Sequence, residues 1–505
     1  MTLLSLPRLL ADRIRTAHAA NPRRLRLAFF ALLAAIVVLM SVKYAVKISK
    51  PGDGGQQSRS AFLRWREMIN GVFRGENIYV GVNEYPNPPI MAILLRPFAA
   101  LPPVVGALAW FYAKVLLAVL AAVWVFRLVG EEPTPPGPPS LKGRGELAIA
   151  EPTSETERRG FLSPLPFREG GPGGVGSSLR LDLARAAAIV LCLPPLLGDL
   201  SHNNVNIFIL FLIAGCLEAF RRRLDTLAGL TLALAVACKL TPALFVAYFA
   251  WKRCWRALAA TLVGLVLWLA VVPGLTFGWD RTRELMTGWY ALMIERPLMK
   301  GEITTEHPNQ AVTGVVYRLL THSPSYIVYV KTPEGDIPTP GEYHNLADIG
   351  RPAAWVVVKA LTAAFALAVV FLCRWPVRGP TDVRQGVRFA AECGLICLGM
   401  LLFSERTWKH HAVVLLLPLA ALTYAVAVVE LSRRVRNFTF GVLVASFVLT
   451  AGPGLLAGRA ADLTMVYGTH TIAFVLQAVA VGLLLAYRSD RVGGSCGSPA
   501  GANPG

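Results

Sequence analysis

The chain has 505 residues, of which 54% are hydrophobic and only 16% charged, with a mean hydropathy of +0.50. A soluble chain carries roughly 25% charged residues, so an ordinary soluble enzyme is excluded. The net charge of +19 would suit nucleic acid, but the basic residues stand in short clusters between apolar runs, as in "FRRRLDT", "WKRCWR", "CRWPVRGPTDVRQGVR" and "LSRRVRNF". Cytoplasmic loops of membrane proteins look like this. The expected partner is therefore the lipid bilayer, with no nucleic acid.

In chain order, residues 1–26 form a basic segment (Arg8, Arg13, Arg15, Arg23, Arg24, Arg26) expected in the cytoplasm ahead of an uncleaved first span. Residues 27–130 carry the first spans, at about 27–48 and 89–129, around an external loop at 49–88. The second element is too long for one straight crossing, and Pro102–Pro103 is expected to divide it. Residues 131–180 are dominated by Pro, Gly, Ser and charges and read as a disordered cytoplasmic insertion. The bundle resumes over 181–488, with spans near 181–198, 205–220, 256–274, 352–374, 388–403, 411–430, 438–457 and 471–487 and a long external loop at 275–351. Basic clusters flank both ends of 226–251 while "CKLTP" sits in its middle. A re-entrant pair of half-helices fits, with Lys239 snorkelling on the cytoplasmic side. Residues 489–505 read as a disordered tail. The fold class is thus all-α and polytopic, with about 10–12 transmembrane helices.

The eight cysteines are scattered, most of them in apolar segments; Cys393 and Cys397 share a helix face, and small buried hydrophobes are the reading they suit. The histidines show no pair at helical metal-ligand spacing, and adjacent His410 and His411 would point about 100° apart on a helix. No metal and no cofactor are expected.

The uncommon polar residues collect at span ends on one face, the extracytoplasmic one if basic loops lie inside. Polar groups at membrane depth are costly and usually mark a site. Arg64, Arg66, Arg406 and Lys409 are cations suited to a phosphate; Asn203, Asn204, Asn206, Asn309 and Gln310 suit sugar hydroxyls; Asp53, Glu67, Glu76 and Glu84 are acids; Tyr85 and Trp408 could stack on a sugar or guide a lipid. A lipid phosphate-linked sugar would use every class. Plainer roles stand beside these: a turn at Asn203–Asn206, an Arg64–Glu67 salt bridge, a cap from Asn309–Gln310, and a helix end at His410–His411. Asp199 is a further external carboxylate.

Four stretches, in order, resemble glycosyltransferase family 87: "GENIYVGVNEYPNPPIMAILLRPFAALP"; "HNNVNIFILF" followed by the run containing "LAGLTLALAVACKLTP"; "HPNQAVTGVVYRLL"; and "FSERTWKHHAVVLLLP". The resemblance implies a GT-C-type bundle with an extracytoplasmic active site. It implies inverting transfer of a sugar, a hexose such as mannose, from a polyprenyl-phosphate donor to a glycolipid or glycan acceptor. A first-loop carboxylate would be the base, and one of His410 and His411, with His411 assigned the catalytic role, would meet the lipid phosphate. The sequence departs from the family in having Ala61-Phe62 where an Asp-Phe pair is usual, and Glu405 where proline is usual. The base must then come from Asp53, Glu67 or Glu84. The alternatives are a transporter or flippase of a lipid-linked or polar solute, and a catalytically degenerate family member. A flippase would favour inverted repeats and midplane charges, and neither is visible in the sequence.

Overall fold

The computed structural model describes residues 13, 16, 18, 20–49, 60–80, 85–130, 175–299, 301–332, 335–373 and 384–487. The expected insertion and tail fall almost wholly outside these residues, as do Asp53 and Glu84; a helix already runs from Val175, inside the expected insertion.

Helix α1 (Pro22–Ser49) starts where the Asn21 carboxamide accepts the Arg24 N–H at 3.0 Å and proline takes the first helical position. A short amphipathic helix, α2 (Ala61–Phe73), follows, capped by the Ser60 hydroxyl. Helices α3 (Pro89–Ala99) and α4 (Pro103–Val129) are separated at Pro102–Pro103 as the sequence suggests. They meet so closely that a Cβ on Gly106 would lie 2.2 Å from the Phe98 carbonyl oxygen. Then come α5 (Val175–His202), α6 (Asn206–Arg221), and the half-helices α7 (Asp225–Cys238) and α8 (Ala243–Trp251). Helix α9 is Trp255–Phe277. It packs on α7 at Gly229, where a Cβ would come within 2.2 Å of the Ala257 oxygen; close approach at small residues is how helices associate in lipid.

The long loop is more structured than the sequence suggests. It holds α10 (Trp279–Tyr290), α11 (Val312–Leu320) and a hairpin of β1 (Ile327–Thr332) with β2 (Gly335–Pro340), antiparallel with Ile327 opposite Pro340. Helices α12 (Gly350–Leu372), α13 (Val387–Leu402), α14 (Lys409–Val428), α15 (Arg433–Leu455), α16 (Arg459–Val466) and α17 (Thr469–Ala486) complete the chain.

Among the described residues eight helices are long and apolar enough to cross a membrane, and the shorter α6 and α13 are buried along most of their length. The protein is a multi-pass membrane protein. Burial sorts the helices: 78% of the apolar window of α14 is enclosed by protein, against 6% for α1 and for α12. Hence α13 and α14 form the axis, and α1 and α12 turn apolar faces outward to lipid.

Candidate functional site

The site is built where α13 ends and α14 begins. The chain leaves α13 at Leu402 and holds an irregular course over 403–408, fixed by the Thr407 hydroxyl on the Leu401 carbonyl (2.6 Å) and by Ser404 on Thr407 (2.6 Å). It re-enters helix through a 3-10 turn, Lys409–Leu415.

Asn309 and Gln310 hold this stretch from outside. The Asn309 oxygen accepts the N–H groups of Thr407 and Ala311, both at 3.0 Å, and its amide donates to the Thr304 and Glu405 carbonyls. Gln310 donates its backbone N–H to Thr407 and its amide to the His307 and Met465 carbonyls, and accepts the His470 N–H. Arg318, wholly buried, donates to the carbonyls of Thr305, Glu306, Asn309, Met465 and Val466. These residues therefore brace the site, with their polar atoms spent on neighbouring chain.

Inside the brace lies a ring cluster. His202 and His410 are 4.5 Å apart by ring centroid, His410 and His411 are 4.9 Å apart and perpendicular, and Trp408 stands 5.6 Å from His410. Asn204 places its amide nitrogen 3.3 Å from His410 Nε2. His411 Nδ1 lies 3.3 Å from the Trp408 N–H and 3.2 Å from the Arg406 carbonyl. The Trp408 contact suits a ring with its hydrogen on Nε2, where it can donate to a ligand, whereas the Arg406 contact suits a ring with its hydrogen on Nδ1.

His411 lines a cavity of about 20 Å³ whose polar walls are Asn206, Lys239, Thr241, Ser404, Arg406 and Thr407. No carboxylate lines it among the described residues. Arg406 also donates to the Thr304 hydroxyl (2.7 Å) and lies 3.4 Å from Glu405. Nearby Glu306 is half-buried: burial raises its carboxyl pKa, and attraction from Arg406 partly offsets the rise.

Lys239 is where the sequence reading needs correcting. Helix α7 climbs beside α6 and ends at Cys238, and the extended backbone of Lys239 carries its ammonium to within 2.6 Å of the Asn206 oxygen. The tip of the re-entrant hairpin thus meets the face that holds Asn206 and His411, and Lys239 is a cavity residue rather than a snorkelling one. Behind Asn206, Asp199 Oδ1 accepts its amide (2.9 Å) and its backbone N–H (3.3 Å), while Oδ2 takes the Lys114 ammonium at 3.1 Å. Lys114 and Asp199 are fully buried. Lys114 was a missed signal, a lone cation in the apolar run of α4.

The remaining expected residues are placed elsewhere. Asn203 adopts φ +54°, and its amide is used by Tyr44 (2.7 Å) and the Ala107 carbonyl (3.0 Å). Tyr85 is buried between Trp65 and Tyr79. Glu67 pairs with Arg66 at 2.6 Å, not with Arg64, and its side chain is 69% exposed. Arg66 also reaches the Leu101 carbonyl, pinning α2 to the α3–α4 turn. Half-buried Arg64 lies on the same helix, and Lys409 is exposed. Ala61 and Phe62 are fully buried, so no carboxylate stands at the family's usual place.

His307 supplies a pH dependence. Burial, its largest influence, lowers the ring pKa below 6.5 despite Asp462 at 3.5 Å. The folded state then resists protonation more than the unfolded one, so its contribution is present above about 6.5 and is lost as pH falls through that value. The melting temperature should therefore drop between pH 7 and 5. The drop should be shallower in His307→Gln, and an identical profile would show that His307 plays no part.

Fold and site together define a multi-pass membrane protein with a cationic cavity, lined by His411, Arg406 and Lys239, at one end of its helical bundle. The chain belongs to glycosyltransferase family 87, whose sequence profile matches residues 85–405. It is 29% identical over 263 residues to the polyprenol-phosphate-mannose-dependent alpha-(1-2)-phosphatidylinositol mannoside mannosyltransferase of Mycolicibacterium smegmatis, covering 51% of this chain and 50% of that one. It is 27% identical over 335 residues to the Mycobacterium tuberculosis protein of the same name, covering 66% and 60%. The chain thus spans half to three fifths of the length of these curated relatives. Among solved structures, ArnT from Cupriavidus metallidurans bound to undecaprenyl phosphate aligns over 91% of this chain and 78% of its own, at 12% identity and a TM-score of 0.39.

Proposed function

We propose that the protein is a membrane glycosyltransferase that moves a hexose, mannose by analogy with its relatives, from a polyprenyl-phosphate donor to a glycolipid or glycan acceptor with inversion. The carrying observation is the cavity at the α13–α14 break, where Arg406 and His411 converge with no lining carboxylate. In the proposed reaction a first-loop carboxylate, Asp53, takes the proton of the acceptor hydroxyl. The hydroxyl oxygen attacks the anomeric carbon, and the bond from that carbon to the phosphate oxygen breaks. Polyprenyl phosphate leaves with the electron pair. Arg406 and the Nε2–H of His411 stabilise the charge that grows on the phosphate. The basic ends of α4, α6 and α8 lie at the other end of the bundle, and the preference of such ends for the cytoplasm supports a site that faces outward and an N-terminus that faces inward. An apolar groove of about 1410 Å³ between α1, α4 and α5 reaches Leu200 and Ile207, neighbours of Asp199 and Asn206, and offers a wall for the polyprenyl chain.

Arg406→Gln and His411→Ala test this reading through binding of polyprenyl phosphate to the detergent-purified protein. Each loses a hydrogen bond to a charged group, worth about 1.5–3 kcal/mol, so the Kd should rise about 10- to 100-fold. Unchanged binding in both variants would remove the cavity from the reaction.

A further inference from the structure

We infer that Lys239 is a phosphate-contacting cation of this cavity, and that the buried Lys114–Asp199 pair is the device that positions it. The inference rests on the reading of the cavity as a lipid-phosphate site and names residues that reading does not require.

Lys239 leaves α7 in extended conformation (φ −156°, ψ 130°), which frees its side chain from the helix and turns it to the cavity wall. Its ammonium meets a neutral oxygen, that of Asn206, at 2.6 Å. A carboxylate in that place would neutralise Lys239, whereas an amide oxygen fixes its direction and leaves the charge intact.

The amide can do so in only one of its two orientations. Flipped, it would present N–H groups to an ammonium. Asp199 decides the orientation, because its Oδ1 accepts the Asn206 amide at 2.9 Å and a carboxylate only accepts. Asp199 itself must be kept from acting as a counter-ion to Lys239. Lys114 does this, donating to the Asp199 carboxylate at 3.1 Å and to its backbone carbonyl at 2.9 Å. The order Lys114, Asp199, Asn206, Lys239 thus delivers to the cavity a cation that no carboxylate contacts among the described residues. Arg406, by contrast, shares its charge with Glu405.

A fully buried ion pair is weak evidence for stability, since a well-packed apolar pair often serves as well or better. This gives the test its leverage. Lys239→Met should raise the Kd for polyprenyl phosphate about 10- to 100-fold, and Lys239→Arg should recover part of the loss. The double variant Lys114→Met/Asp199→Leu removes both buried charges together. It should still melt cooperatively, at a temperature lowered only by the two Asn206 N–H donors left unpaired, yet bind polyprenyl phosphate at least about fivefold more weakly, because the Asn206 amide is no longer held. Wild-type affinity in the double variant would reduce the pair to a packing element and overturn the positioning role. Wild-type affinity in Lys239→Met would overturn the contact itself. Decyl phosphate, run in parallel, separates the two levels of argument. Lys239-dependent binding of decyl phosphate without sugar transfer would sustain this inference and sink the transferase reading. Failure of the wild type to bind either phosphate would sink both.

Discussion

Asp53→Asn should reduce sugar transfer by about 10²- to 10⁴-fold in kcat, the range spanned by a positioned general base, with donor affinity within about twofold of wild type. Glu84, the other first-loop carboxylate outside the described residues, is tested beside it as Glu84→Gln. The acceptor hydroxyl must lose a proton as it attacks, and the family's usual carboxylate position is Ala61, buried at the start of α2. Asp199 is committed to Lys114 and Asn206. Glu67 is held outward by Arg66, on a helix that contributes no residue to the cavity wall. The comparison series is Asp53→Asn, Glu67→Gln, Glu84→Gln and Glu306→Gln, read as initial rates at saturating donor. Glu67→Gln should stay within about threefold of wild type. A full rate in Asp53→Asn, with the loss falling on Glu306→Gln, would transfer the role to the carboxyl beside Arg406.

Arg318→Met should unfasten the outer layer of the molecule, with a cost on the order of 1–3 kcal/mol, the range for leaving buried hydrogen-bonding groups unsatisfied. Arg318 is wholly buried, and its guanidinium is shared among five carbonyls from two segments distant in sequence, 305–309 and 465–466. Burial pushes its pKa down to about 10, which leaves it cationic at neutral pH. Removing it strands carbonyls that no other side chain can reach together. Arg318→Lys should rescue only a small part, because an ammonium cannot reproduce the planar fork. Limited proteolysis is the direct measurement: cleavage within 301–311 and 456–468 should appear in Arg318→Met under conditions that leave the wild type whole. Equal protease resistance in the two proteins would mean that Asn309 and Gln310 hold the layer without it.

Much of the fold was legible in the sequence because membrane spans write themselves as apolar runs. The division at Pro102–Pro103 and the half-helices on either side of "KLTP" were equally legible, since prolines and a polar break interrupt those runs. The external loop was not: α10, α11 and the hairpin at 327–340 are short, and their burial depends on partners far along the chain. The site divides the same way. His410, His411, Arg406 and Trp408 announce themselves in one stretch. Asn309 and Gln310 were legible as important but not as braces, because bonds to backbone carbonyls leave no trace in residue type. The meeting of Lys239 with Asn206 was the hardest to read. It depends on how far α7 climbs beside α6, and the positive clusters at both ends of 226–251 drew the hairpin to the other face.

The most direct test of the central claim is sugar transfer itself. Detergent-purified protein would be incubated with radiolabelled polyprenyl-phosphate mannose and a membrane lipid extract, beside His411→Ala. The account predicts label in a new lipid or glycan product with the wild type, and at least about tenfold less with His411→Ala. Label that stays on the donor with the wild type, for mannose and for a second polyprenyl-phosphate hexose alike, would contradict it.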